Sequence, residues 1–168
     1  MASEHIYKQY DSDLEAIRAK VLEMGTLVEE QTSNAIQSLL ETDVKLAEKV
    51  IKKDEQINDL EVLIDEEASL LIAKRSPAAG DLRNIMMMLK IITDLERMGD
   101  EAAKIARSTT RIFENNRMSK SKFNEIKGMA KAVQEMIKTA LNSFARLDLT
   151  DTIDILEKDK QVDDDYRS

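Results

Sequence analysis

The chain has 168 residues, 42% of them apolar and 35% charged, with one proline and no cysteine. This length allows one domain or slightly more, and the composition favours long helices over sheets. The lack of cysteine excludes disulfides and thiolate metal sites. The formal net charge of −8 argues against nucleic acid as the main partner. A polar N-terminus without a signal peptide, and the absence of a membrane-spanning apolar run, predict a cytoplasmic protein.

Five helices are predicted from apolar residues that recur at alternating spacings of three and four, the pattern of a helical bundle. Alternation at period two is absent, so no strand is expected and the fold class is all-α. The predicted bounds are an N-terminal tail at 1–10 and helices at about 11–41, 44–75, 77–114 and 121–146, with a fifth helix from 151 onward.

Turn residues mark the predicted ends of the helices. Thr42 and Asp43 are suitable N-caps for the second helix. Pro77 is expected at the first position of the third helix, where its missing N–H costs nothing. Asn115 and Asn116 are predicted to end that helix.

The middle of the third helix, IMMMLKII (residues 85–92), is apolar on nearly every side. A helix of this kind is enclosed by neighbours, so we expect it to be central or to lie at a subunit interface. The run of three methionines at 86–88 is interpreted as gap-filling core.

An internal repeat relates the two ends of the chain. A shift of 105 residues places KDEQIND (53–59) on KDKQVDD (158–164) and aligns further identical residues upstream. Self-similarity of this kind indicates a duplicated unit. We expect a first three-helix bundle at 11–116 and the start of a second at 121–168, truncated at its C-terminus. The fourth and fifth helices would then expose apolar surface, which could pack against the first bundle or against another chain.

Acidic residues form strips beside the apolar stripes of the helices. In the second helix, residues 54, 58, 61 and 65 share one face, and in the third helix residues 96 and 100 do so. The repeat adds a half-strip near the C-terminus. The candidate metal ligands are Asp54, Asn58, Glu61, Asp65, Glu96, Asp100, Asp159 and Asp163.

A tight turn near Pro77 makes the second and third helices antiparallel, which places Asp54 at the level of Asp100. Carboxylates gathered in one groove repel each other unless a cation lies between them or some are protonated. Oxygen ligands suit hard cations, and Gly99 would allow a close approach of the helices. The alternative is a solvated acidic face, screened by nearby lysine and arginine side chains.

Three segments carry a resemblance to a known family: IKKDEQINDLEVLIDEEASLLIAKRSPAAGDLR (51–83), MLKIITDLERMGDEAAKIAR (88–107) and FARLDLTDTIDILEKDKQVDDDYRS (144–168). Together they resemble the PhoU family of bacterial phosphate regulators. The resemblance implies tandem three-helix bundles, metal-binding motifs of an acid followed four residues later by Asp, and a homodimer. By similarity the motif pairs are Glu61 with Asp65, Glu96 with Asp100, and Asp159 with Asp163, whereas Asn58 replaces an acid in the pair from Asp54.

The family's role is non-catalytic. The resemblance implies a negative regulator of the phosphate-starvation response, acting as an adaptor between the phosphate ABC transporter ATPase and a sensor histidine kinase. The metal would be Fe, Mn, Zn, Mg or Ca in an all-oxygen site. Two alternatives stay open: a metal-free helical scaffold with other partners, and a carboxylate metal-binding bundle unrelated to phosphate signalling.

The chain has few of the reactive side chains that enzyme active sites require. Ferritin-like di-metal sites need histidine from two helices, and hydrolytic triads need histidine as well, but the chain has only His5. A phosphotransfer histidine on a bundle helix is lacking for the same reason, and no glycine-rich phosphate loop is present.

Overall fold

A computed structural model describes residues 2–114 and 123–167 of the chain. Within these ranges every element is a helix and no strand occurs, so the all-α prediction is confirmed. The predicted break at Asn115 and Asn116 lies outside the described residues. The helices are α1 (Ala2–Glu41), α2 (Val44–Arg75), α3 (Ala79–Glu114), α4 (Phe123–Arg146) and α5 (Thr152–Arg167).

Two helix starts differ from the prediction. α1 begins at Ala2 rather than near Asp11, so most of the predicted tail is helical; the segment contains no proline or glycine to stop a helix. α3 begins at Ala79 rather than at Pro77. Ser76 ends α2 with φ 45°, and the Ala78 carbonyl accepts the first helical bond of α3. Pro77 therefore lies in the link, before the N-cap.

The C-termini of α1 and α4 are closed in the same way. Thr42 and, 105 residues later, Leu147 have φ of 56° and 53°, the left-handed conformation of a Schellman cap. In each case the next N–H donates to the carbonyl five residues back. The pairs are Asp43 to Ser38 at 2.9 Å and Asp148 to Ser143 at 3.0 Å.

Asp43 is also the N-cap of α2, as predicted. Its carboxylate accepts a hydrogen bond of 3.0 Å from the N–H of Leu46, which satisfies one of the unpaired donors of the first turn. Thr42 belongs to the end of α1 instead.

The contacts of the chain form two compact units, each containing parts of α1, α2 and α3. One unit is Met1–Val28 with Glu55–Met98, and the other is Glu29–Asp54 with Gly99–Ser168. These units cut through the long helices rather than separating 11–116 from 121–168. The boundaries of the two sequence repeats stay a prediction.

The first unit has a core of large aliphatic side chains from all three helices. Their spacing is the predicted one, so the seams of α1 and α2 are confirmed there. The core residues are Ile17, Val21, Met24 and Val28 of α1, Ile57, Ile64, Ala68 and Leu71 of α2, and Ile85, Met88, Ile92 and Leu95 of α3.

The methionine run does not pack as predicted. Met88 is buried, but Met86 and Met87 are 46% and 42% exposed. Successive helical residues point about 100° apart, so three neighbours cannot all face one core. The prediction that all three fill the core is wrong within this chain.

The second unit brings its helices together on small side chains. Ala35 of α1, Ala47 and Val50 of α2, and Ala102 and Ala106 of α3 form one buried cluster. Alanine at these positions lets the helix backbones approach closely and pack without voids.

Three polar side chains, Gln31, Ser38 and Thr109, are also buried in this unit. The Gln31 amide donates to the Val50 carbonyl at 2.8 Å, and the hydroxyls of Ser38 and Thr109 are hydrogen-bonded at 3.3 Å. Buried polar groups need such partners to avoid a desolvation cost.

α4 and α5 pack against each other within the second unit. Lys158 of α5 binds Glu135 of α4 at 2.7 Å, as Lys53 of α2 binds Glu30 of α1 at 2.9 Å. Both partners of the second ion pair lie 105 residues after their counterparts in the first pair. The repeat seen in the sequence is therefore also a repeat of structure. The predicted inner face of α4 is only partly covered: Ile137 is buried, whereas Ala140 is exposed.

Leu147→Gly is expected to stabilise the protein. Leu147 is 67% exposed and has φ 53°, a conformation that costs an L-residue roughly 1–2 kcal/mol and that glycine adopts freely. We expect a gain of about 1 kcal/mol in the free energy of unfolding by urea. The matched control is Leu63→Gly in the interior of α2, which should cost about 1 kcal/mol or more. Destabilisation by Leu147→Gly would contradict the assigned cap.

Candidate carboxylate site

Asp54 is the predicted ligand whose surroundings are most unusual for a carboxylate. It lies on α2 in the second unit and is half-buried. Its Oδ1 atom is fully buried and has no hydrogen-bond partner among the described residues. An unpaired buried carboxylate oxygen is costly, so this atom requires an explanation.

The charge of Asp54 is disfavoured by its neighbours. Burial raises the pKa of Asp54 above its ordinary value of 3.8, and the negative charge of Asp100 raises this pKa further, while Arg107 acts in the opposite direction. Asp100 lies on α3 in the same unit, and it is the neighbour that the antiparallel register predicts for Asp54. The negative charge of a second carboxylate thus acts on Asp54, with one arginine as a partial counter-charge.

Asp100 belongs to the acidic pair of α3. Glu96 and Asp100 are four residues apart on one face of this helix, and both are half-buried. Gly99 between them is buried. No described glycine has a positive φ, so the conformation of Gly99 is one that any residue could adopt.

The other predicted ligands on α2 lie in the first unit. Glu61 is half-buried, while Asn58 and Asp65 are exposed. In the part of the chain that the structure describes, no three Asp, Glu, His or Cys side chains are grouped closely enough to hold one metal ion. The structure therefore brings together the pair Asp54 and Asp100, and the larger ligand set stays a prediction.

The acids of the second repeat are exposed on α5. Asp163 lies 3.8 Å from Arg167 of the same helix. Asp159 is the repeat equivalent of Asp54, yet it is exposed rather than half-buried. The same residue in the same local sequence thus has two different environments.

Sequence reasoning missed the position of Arg107. Arg107 lies close enough to Asp54 to lower that residue's pKa, although the two residues are far apart in sequence. A usable signal exists: Arg107 follows Asp100 by seven residues, about two helical turns, and so lies on the same face.

The first unit contains a groove between α1 and α2 that no sequence pattern indicated. Lys20 binds both oxygens of Glu67, at 2.8 and 2.6 Å, and Arg75 lies 3.5 Å from Asp13. These partners are far apart in sequence, so periodicity within one helix cannot reveal them. The groove has a volume of about 310 Å³ and is lined by Asp13, Ala16, Ile17, Lys20, Glu67, Leu70, Leu71, Lys74 and Arg75.

Among the described residues, no helix combines the length and the apolar character that crossing a membrane requires.

Comparison with known proteins identifies the family. Residues 21–109 match the PhoU domain, which includes α2 and nearly all of α3 with their acidic pairs. The chain belongs to the PhoU family. The resemblance found in the sequence is thereby confirmed.

Curated PhoU relatives match the chain almost from end to end. The phosphate-specific transport system accessory protein PhoU homolog of Pseudomonas putida is 40% identical over 98% of this chain. The Escherichia coli accessory protein PhoU is 38% identical over the same share. The chain spans 64% of the length of the Pseudomonas putida protein and 67% of the Escherichia coli one.

Two crystal structures of PhoU proteins share the fold. PhoU from Pseudomonas aeruginosa has a TM-score of 0.90 and 40% identity, covering 94% of this chain and 75% of that one. The regulatory protein PhoU from Streptococcus pneumoniae has a TM-score of 0.85 and 30% identity, covering 94% and 73%. The predicted PhoU-like helical fold is confirmed.

Asp54→Asn should stabilise this PhoU-family chain when metal is removed by a chelator. Because the folded-state pKa of Asp54 is raised, its stabilising contribution is present below the unfolded value of 3.8 and is lost as the pH rises through the folded pKa. The amide escapes this loss, so we expect the variant to have the higher Tm at pH 7 and the two Tm values to converge near pH 3.

The exposed acid Asp59 on the same helix supplies the control, since Asp59→Asn should change Tm little at either pH. A lower Tm for Asp54→Asn at pH 7 under chelation would contradict the assigned burial and repulsion.

Proposed function

We propose that this chain is a non-catalytic regulator of phosphate transport. In this role it is an adaptor that contacts the phosphate ABC transporter ATPase and a sensor histidine kinase, and it restrains the phosphate-starvation response when phosphate is abundant. The observation that carries the proposal is the 40% identity over 98% of the chain to a phosphate-specific transport accessory protein. A cytoplasmic location follows from this role.

The composition agrees with a role by contact rather than by turnover. One histidine and no cysteine leave few groups for general acid–base or nucleophilic chemistry near neutral pH. The helices instead present long surfaces of mixed charge, which suit recognition by other proteins.

We also propose a cation site centred on Asp54 and Asp100. Its support is the buried, unpartnered Oδ1 of Asp54 beside a second carboxylate that raises the same pKa. Arg107 offsets part of this repulsion, and a hard divalent or trivalent cation would offset more while giving Oδ1 a ligand bond. The donors present are oxygens only, which fits Mg, Ca, Mn or iron better than soft-ligand metals.

The family's motif pairs also include Glu61 with Asp65 and the acid Glu96, which belong to the first unit. The proposed cation site rests on Asp54 and Asp100 alone. Within this site the chain's own residues would hold and orient the ion, and the ion would supply positive charge that fixes α2 against α3. A metal-free scaffold is the competing function. In that case either Asp54 is protonated, or Arg107 alone balances its negative charge.

Metal binding predicts a gain in thermal stability. Ligand at about 100 times its Kd stabilises a protein by about 2.7 kcal/mol, which for a chain of this size corresponds to a Tm increase of roughly 5–10 °C. We expect this increase with at least one of Mn²⁺, Fe³⁺, Zn²⁺, Mg²⁺ or Ca²⁺ added to chelator-treated protein. Asp54→Asn and the double variant Glu96→Ala/Asp100→Ala should lose it, whereas Asp59→Asn should keep it.

Elemental analysis of the purified protein provides the independent measurement. If none of the five cations co-purifies or raises the Tm of the parent chain, the scaffold function is correct and the cation site is not.

The adaptor role predicts direct binding to the phosphate system. Purified chain immobilised on beads should retain the transporter ATPase and the cytoplasmic region of the kinase, and its expression in a strain lacking its own PhoU protein should lower a phosphate-starvation reporter in high phosphate. The Asp54→Asn chain is the informative variant: retention unchanged would separate partner binding from the cation site. Recovery of neither partner, together with an unchanged reporter, would refute the adaptor role for this chain.

A further inference from the structure

The outer face of α3 in the first unit carries apolar side chains that the core does not use. Met86 and Met87 are 46% and 42% exposed, and Leu82, one turn before Met86, is 37% exposed. The opposite side of the same helix segment supplies the core, where Ile85 and Met88 are buried. Packing within the unit therefore does not account for the exposed methionines.

Three basic side chains lie on this outer face at intervals of seven residues. They are Arg83, Lys90 and Arg97, and all three are exposed. Seven residues are close to two helical turns, so the three side chains deviate by only about 20° per interval and form one stripe. At about 100° per residue, Met86 and Met87 lie on either side of Arg83 and within about 60° of it. The face is thus basic along its centre, with methionine on both flanks.

Two of the three basic side chains have no charged partner in the described part of the chain. Arg97 lies 3.6 Å from Asp94 on the same face, whereas no ion pair or side-chain hydrogen bond within 2–114 and 123–167 involves Arg83 or Lys90. With three basic residues and one acid, the face has a net charge of +2, although the formal net charge of the chain is −8. This face would therefore attract an acidic surface that the molecule as a whole repels.

The dimensions and chemistry of the face fit one helix of another protein. From Leu82 to Arg97 the face is about 22 Å long at 1.5 Å per residue, or about four helical turns. Methionine adapts to the shapes it meets and is frequent on binding surfaces, and free arginine and lysine can pair with carboxylates. A matching occupant is an amphipathic helix with an apolar stripe and Asp or Glu beside that stripe.

An anionic membrane is a poorer match for the same face. Basic segments that bind anionic lipids typically carry about four to eight Lys or Arg residues, whereas this face carries three and also an acid. The net charge of −8 opposes adsorption of the whole chain to such a surface. Charge complementarity therefore favours an acidic protein helix as the occupant.

We propose that the outer face of α3 from Leu82 to Arg97 is the docking surface for an acidic amphipathic helix of a partner protein. The apolar side chains of that helix cover Met86 and Met87, and its carboxylates pair with Arg83 and Lys90. This inference rests on the adaptor role proposed above, because it assigns a surface of the chain to a partner. It does not involve Asp54 or Asp100, so it is independent of the cation site.

The test is the affinity of the 168-residue chain for the purified transporter ATPase and for the purified cytoplasmic region of the kinase. We expect Arg83→Glu/Lys90→Glu to weaken the binding of at least one of them by about 10-fold or more and to reduce its dependence on salt, because charge reversal replaces attraction with repulsion. Met86→Gln/Met87→Gln should weaken the same partner, mainly through faster dissociation. Glutamine and methionine have similar helix propensities, so circular dichroism should show an unchanged helix content.

The matched control is Lys45→Glu/Lys49→Glu. Lys45 and Lys49 are exposed basic residues on α2 in the second unit, so this variant has the same net charge as Arg83→Glu/Lys90→Glu but a different location of the change. Its binding should equal that of the parent chain. Equal weakening by the control and by the α3 charge variant overturns the proposal, because binding would then depend on net charge alone.

Three further outcomes also overturn the docking surface. If the parent chain binds a partner and both α3 variants bind it equally well, the adaptor role stands and the surface is wrong. If phosphatidylglycerol vesicles bind the parent but not Arg83→Glu/Lys90→Glu, while partner binding is unchanged, the occupant is a membrane. If the parent binds neither partner, the adaptor role and the docking surface are refuted together.

Discussion

The structure depends on one constraint: two helices cannot bury a narrow apolar seam, and a third must close it. Where α3 lies against α1 and α2, positions such as Ala35, Val50 and Ala106 are almost completely buried. In the hairpin of α4 and α5, the repeat equivalents of Ala35 and Val50 are Ala140, which is exposed, and Ile155, which is half-buried. The hydrophobic effect scales with the area removed from water, so the third helix supplies much of what stabilises each bundle.

The third helix also buries polar side chains at the edge of the apolar seam. Gln31 and Ser38 are buried because α2 and α3 cover them, and both find hydrogen-bond partners there. Asp54 is half-buried in the same unit, and its Oδ1 atom is removed from water. A carboxylate in that position is sensitive to every nearby charge, which is why Asp100 and Arg107 act on its pKa in opposite directions.

Much of the fold could be predicted because helical periodicity reports burial directly. The seam from Ile17 to Ser38 and the cap at Asp43 follow from local spacing, and both are found in the structure. The helical N-terminus was missed because helix propensity without an apolar pattern gives a weak signal, and Pro77 was misplaced because Ser76 adopts a left-handed conformation that serine rarely does.

The site was predicted only in part, for a geometric reason. Because the link between α2 and α3 is short, the two helices run antiparallel. The sequence could therefore predict that Asp54 and Asp100 lie at the same height along the helix axes. Whether acids on neighbouring helices turn toward each other depends on helix rotation and side-chain rotamers, which spacing alone does not determine. Ion pairs between different helices, such as Lys20 with Glu67, could not be predicted from spacing either, because the packing of the helices determines which side chains meet.

Asp54 and Asp159 show how a neighbouring helix changes the surroundings of an acidic residue. The two residues occupy the same place in a repeated sequence, KDEQIND and KDKQVDD, yet Asp54 is half-buried beside a second carboxylate and Asp159 is exposed on α5. The difference is α3, which brings Asp100, Arg107 and a low-dielectric wall to one strip and not to the other. Local sequence therefore supplies the acids, and the neighbouring helix supplies the desolvation and the repulsion that act on Asp54.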